Sequence, residues 1–69
     1  MKLSARNQIN GTILRVQKGT TTSHVTVDIG SGQTITSSIT NEAVDALALK
    51  EGQAAIVVIK ASDVMIGVA

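Results

Sequence analysis

Cysteine, proline, tryptophan, tyrosine and phenylalanine are all missing from this 69-residue sequence. Without cysteine there is neither a disulfide staple nor a thiolate metal site. Without aromatic rings the chain lacks the stacking platforms on which single-stranded nucleic acid is usually held. It also lacks the large side chains that anchor the cores of small domains. Runs of like charge are absent as well. Six basic and five acidic residues are spread along the chain and leave a formal net charge of +1, which argues against a broad electrostatic grip on nucleic acid or an anionic membrane. No window approaches the roughly 20 consecutive apolar residues that span a bilayer, and residues 1–6 carry no long apolar segment of a secretory signal. The expectation is a cytoplasmic protein with no membrane partner.

What remains is rich in valine and isoleucine. With 43% hydrophobic and 16% charged residues, the composition is that of one small folded domain, with no internal repeat, linker or low-complexity tract. A domain this small, with no large anchor, buries too little surface to be comfortable alone, so self-association is expected to complete its core.

The stretch Ile56–Ser62 organises the rest. Four successive β-branched apolar residues, Ile56 to Ile59, favour a strand covered on both faces, hence a central one. In chain order, Ser4–Lys18 reads as the first strand, with Gly11 marking a bend or bulge. Ile9, Gly11 and Ile13 fall on one parity and Thr12, Leu14 and Val16 on the other, so neither face is purely solvated. Thr21–Ile29 alternates cleanly, Val25, Val27 and Ile29 inward against His24, Thr26 and Asp28 outward. Gly30-Ser31-Gly32 predicts a tight hairpin, and Gln33–Ile39 returns with Ile35 and Ile39 inward. One short helix follows, capped by Thr40 or Asn41, with Glu42 in its first turn, an apolar stripe of Ala43, Val44 and Leu47, and a stop at Lys50-Glu51-Gly52. Ala54–Lys60 is the fourth strand, Ala61-Ser62-Asp63 a corner, and Val64–Val68 the fifth. Strand, strand, strand, helix, strand, strand predicts an all-β fold with one short helix, an OB-like five-stranded β-barrel. Its last strand is apolar on both faces and turned partly toward another subunit.

Catalytic chemistry has little to stand on. His24 is the only histidine and sits on a polar strand face, and no nucleophile pattern surrounds it. His24 and Asp28, four residues apart on a strand, start well over 10 Å from each other and make no metal site alone. The chain is expected not to be an enzyme, to need no cofactor, and to use no metal as a direct protein ligand.

Two donor-rich segments do carry chemistry. At Lys60-Ala61-Ser62 the strand ends on one ammonium, closely spaced backbone N–H groups and a hydroxyl. Ser4-Ala5-Arg6-Asn7 offers a guanidinium with small polar neighbours. Meeting at one place, they would seat a small oxyanion. The plain alternative is that Ser4 and Asn7 shape a strand start while Arg6 and Lys60 are solvated.

The run Ser4-Ala5-Arg6-Asn7-Gln8-Ile9-Asn10-Gly11 resembles the molbindin family of small molybdate-binding proteins. Asp28-Ile29-Gly30 with Gly32, Ile39-Thr40-Asn41-Glu42, Leu49-Lys50-Glu51-Gly52, and Ile59-Lys60-Ala61-Ser62 with Val64-Met65 extend the resemblance over nearly all 69 residues. It implies one molybdate-binding domain with an OB-like barrel, assembled as a homohexamer, a trimer of dimers, with molybdate or tungstate at subunit interfaces. It further implies that the ligands are Ser4, Arg6, Lys60, Ala61 and Ser62, with Thr40 reaching in from another subunit. The chemistry agrees. Molybdate is a fully deprotonated dianion at neutral pH and suits a site made only of donors, whereas phosphate keeps a proton and seeks an acceptor; the nearest carboxylate in sequence is Asp63. The implied function is intracellular binding and storage of molybdate or tungstate. A molybdate-responsive regulatory or interaction module is the alternative, and a nucleic-acid-binding OB domain a weaker one.

Overall fold

A computed structural model describes residues 1–69. Four strands and one short helix make up its regular structure: β1 (Asn7–Lys18), β2 (Thr22–Gly30), β3 (Gln33–Thr40), α1 (Asn41–Ala46) and β4 (Ala54–Ile59), followed by a 3₁₀ turn at Ala61–Asp63. All ladders are antiparallel, in the order β3-β2-β1-β4. The meander β1-β2-β3, a helix after β3, and the return of β4 onto β1 give a curled, OB-like sheet.

The β2–β3 hairpin follows from its turn chemistry. Gly30 pairs with Gln33, leaving a two-residue loop in which Ser31 and Gly32 both have positive φ, 55° and 73°. A type I′ turn demands this, and its twist matches that of the flanking strands. The Gly30 N–H also donates to Asp28 Oδ1 at 2.8 Å.

Inside the curl, Ile13, Val25, Val27 and Val44 are buried, and Val16, Ile29, Ile39, Leu49, Ala55 and Val57 pack around them. The mixed parity of β1 has a local cause. Its register with β2 slips between Ile13 and Arg15, and this bulge at Leu14 moves the inward set from Ile9, Gly11 and Ile13 to Val16. The irregularity lies three residues beyond Gly11. Gly11 itself is a point of close approach, since a Cβ there would lie 2.6 Å from both the Asp28 carbonyl oxygen and Val27 Cγ1.

Helix α1 is shorter than the stripe predicts. Thr40 caps it, its hydroxyl accepting from the Ala43 N–H at 3.1 Å. It ends at Leu47 rather than at Gly52, because Ala48 takes the left-handed conformation with φ 51°. The Leu49 N–H then bonds Val44 O and the Ala48 N–H bonds Asp45 O, both at 3.1 Å, which is a Schellman closure with alanine where glycine is usual. Asn41, the other candidate cap, ties the helix to the sheet. The fully buried Ser23 hydroxyl donates to its Oδ1 at 2.5 Å, and its Nδ2 donates to the Gly19 and Thr20 carbonyls.

Two expectations about the sheet are corrected. The run beginning at Ile56 forms an edge strand within the chain, with Ile56 and Val58 exposed on its outer face. Residues 64–68 form no ladder, so the paired strands number four rather than five. Met65, Ile66 and Val68 are 92%, 87% and 95% exposed. The reason is shared: β3 and β4 remain open edges, and between them lies an apolar hollow of about 200 Å³ lined in part by Ile39, Leu47, Leu49, Ile56 and Val57. The single chain supplies no cover for the outer face of β4 or for the tail.

Candidate functional site

The β1–β4 ladder positions the two donor-rich segments. It begins at Asn7↔Ile59 and runs to Thr12↔Ala54, so the chain preceding Asn7 and the chain following Ile59 leave the sheet at the same corner. Ser4, Arg6, Lys60, Ala61 and Ser62 are exposed there, and Ala5 is half-buried. The strand ends one residue before Lys60 because Lys60 opens the 3₁₀ turn; its carbonyl accepts from the Asp63 N–H at 2.9 Å.

Backbone donors are available at this corner. No backbone hydrogen bond outside the ladders uses an N–H of Ser4, Ala5, Arg6, Lys60, Ala61 or Ser62, and no side chain accepts from one. Cationic charge is available too. The one ion pair of the chain, Lys18 Nζ to Asp45 Oδ1 at 2.6 Å, lies at the far end of β1, which leaves Arg6 and Lys60 without a carboxylate partner. Free N–H groups beside unpaired cations can receive the oxygens of a small anion in charge-assisted hydrogen bonds.

Two side chains outside the implied ligand set act on the same corner. Gln8 Nε2 donates to the Ala5 carbonyl at 2.9 Å, and Asn7 Nδ2 donates across the ladder to the Ile59 carbonyl at 3.3 Å. Both belong to the motif run that begins at Ser4; Asn7 reaches across the ladder, whereas Gln8 reaches three residues back along the chain.

Thr40 is not at this corner. It pairs with Thr22 at the end of β3, beside the level where Lys18 of β1 meets Ser23. Eleven strand residues separate that level from Asn7, roughly 30 Å along a coiled strand. Within one chain Thr40 cannot touch an anion held by Arg6 and Lys60, so a role there requires another subunit. His24 is exposed and pairs with Gln17 and Ser38, remote from the corner. No cluster of three or more histidine, aspartate or glutamate side chains is placed to hold a metal ion. No helix is long and apolar enough to cross a membrane.

Comparison with known proteins adds an independent line. Residues 3–66 match the TOBE domain model. The chain is 41% identical over 68 residues to a probable molybdenum-pterin-binding protein of Haemophilus influenzae, covering 99% of both chains. It is 48% identical over 66 residues to the molybdenum transport protein ModE of Herbaspirillum seropedicae, spanning about a quarter (24%) of that longer protein. Among solved structures, the cytoplasmic molybdate-binding protein ModG with molybdate bound superposes with a TM-score of 0.93 at 45% identity; the match covers all of this chain and 49% of ModG.

Proposed function

The chain belongs to the TOBE-domain family, as a protein of the molbindin type, and on that footing we propose that it binds molybdate and tungstate and stores them in the cytoplasm. It acts by binding alone, without a catalytic step or an organic cofactor. The observation that carries the reading is the corner where β1 and β4 begin and end. Two unpaired cations, Arg6 and Lys60, stand there among backbone N–H groups with no acceptor in the chain.

The ligand set we propose is Ser4, Arg6, Lys60, Ala61 and Ser62 from one subunit and Thr40 from another, enclosed in a homohexamer built as a trimer of dimers. Self-association is supported by the open β3 and β4 edges, the apolar hollow between them, and the exposed tail at Met65, Ile66 and Val68. An exposed edge and an apolar patch of this kind are ordinarily covered. Donors without acceptors favour a dianion that carries no proton, and cavity size would discriminate it from sulfate.

Equilibrium dialysis against molybdate, with sulfate as competitor, tests the binding claim, and sedimentation analysis tests the assembly. Saturable uptake at micromolar molybdate and a particle of six chains are expected. Absence of saturable uptake would overturn the reading. A second reading, a molybdate-responsive regulatory or interaction module, draws on the ModE relative, of which this chain matches only a part. It requires a partner protein whose capture depends on molybdate.

A further inference from the structure

Apart from the 3₁₀ turn at Ala61–Asp63, the corner that presents the donors has no regular structure of its own: residues 3–6 precede β1, and residue 60 links β4 to the turn. Irregular exposed backbone normally samples several peptide orientations, and an anion site gains affinity when its donors are held in place before the ligand arrives. Something must restrain these peptide units in the empty protein.

We propose that Gln8 and Asn7 are positioning residues of the anion site, each gripping the oxygen side of one peptide unit so that its N–H is presented to the ligand. A trans peptide unit is planar, with C=O and N–H pointing in opposite directions. The Ala5 carbonyl, held by Gln8 Nε2 at 2.9 Å, shares its peptide plane with the Arg6 N–H. The Ile59 carbonyl, held by Asn7 Nδ2 at 3.3 Å, shares its plane with the Lys60 N–H. Each amide therefore fixes a donor that it does not touch, one on each of the two converging segments. These are the only side-chain hydrogen bonds at the corner, and both come from the first two residues of β1, which the ladder opposite Ile59 and Val58 holds rigid. The arrangement hands the order of the sheet on to backbone lying outside it. This inference rests on the molybdate-binding reading and deepens it.

The test uses Gln8→Met and Asn7→Ala in the full chain, with Gln17→Met, an exposed amide at the far end of β1, as control. Molybdate affinity is read by equilibrium dialysis, and backbone mobility of Arg6 and Lys60 by amide relaxation in the anion-free protein. Melting temperature and particle mass are followed alongside. Removing one positioning hydrogen bond is expected to weaken molybdate binding by about tenfold. It should also mobilise the Arg6 amide in Gln8→Met and the Lys60 amide in Asn7→Ala, with melting temperature, mass and the control all unchanged. Unchanged affinity and mobility in both variants, with the parent binding normally, would overturn the positioning role alone. Affinity lost only together with mass or melting temperature would likewise overturn it, in favour of a purely structural one. A parent that does not bind molybdate would overturn the underlying functional reading and leave these amides nothing to position.

Discussion

Gly11 on β1 lies against the Asp28 carbonyl on β2 so closely that a Cβ would come within 2.6 Å of that oxygen, and within 2.6 Å of Val27 Cγ1 as well. Neither neighbour can retreat cheaply, since one is backbone in a ladder and the other belongs to the buried core. Gly11→Ala should therefore destabilise the fold by about 2 kcal/mol, the scale of overpacking a tight interior. A urea midpoint equal to the parent's would contradict this.

Ala48 has the opposite character. At φ 51° its methyl group sits in the left-handed region, at the position of a Schellman closure that glycine favours. Ala48→Gly should raise stability by about 1 kcal/mol, read as a higher melting temperature. A lower one would mean that loss of the methyl group outweighs the relief of backbone strain.

Ser23 and Asn41 form the only side-chain pair that links helix to sheet through a fully buried polar group. Asn41→Ala leaves the Ser23 hydroxyl without its acceptor and frees the Gly19–Thr20 turn, a loss of about 2–3 kcal/mol. Adding Ser23→Ala should recover part of that loss, because the buried hydroxyl is then gone too. A double-mutant cycle showing strict additivity would refute the coupling.

Thr40 holds a helix cap and, in the proposed assembly, an anion ligand. Thr40→Asp separates the two. Aspartate caps helices as well as threonine does, so thermal stability should be kept. Its carboxylate would meet the bound dianion and should lower molybdate affinity by at least about 100-fold, some 3 kcal/mol of like-charge repulsion in a site shielded from water. Equilibrium dialysis on the Thr40→Asp protein measures this, and parental affinity would remove Thr40 from the site.

Ile66 is exposed and outside every ladder, so Ile66→Asp should leave the far-UV spectrum of the chain unchanged. If the tail completes a neighbouring subunit, the same change should shift the sedimenting particle from hexamer to smaller species. A hexamer that persists would exclude the tail from the interface.

The strands whose faces differ in polarity were legible from sequence. Val25, Val27 and Ile29 alternate with polar neighbours, and they are buried or half-buried as expected. The β1 parity was not legible, because the bulge at Leu14 carries no residue that announces it. The helix end was misplaced because an alanine occupies the left-handed position while Gly52 waits four residues further on. For β4 and the tail the apolar pattern implies cover on both faces, and the single chain does not provide it: β4 is an edge strand with Ile56 and Val58 exposed, and the tail is exposed as well. At the candidate site, donor-rich composition was visible at Ser4–Asn7 and Lys60–Ser62. Their convergence depends on the Asn7↔Ile59 pairing, a long-range register that no local pattern encodes.

That pairing also sets a timetable. The β1-β2-β3 meander joins neighbours through short turns and can form early, whereas Asn7 must find a partner 52 residues away, and such distant closures come late in folding. The corner proposed to hold the anion is thus among the last places to take shape, after the meander has already condensed. On the proposed function, a nascent or partly unfolded chain would hold no oxyanion, and sequestration would begin only once the final rung between β1 and β4 had closed.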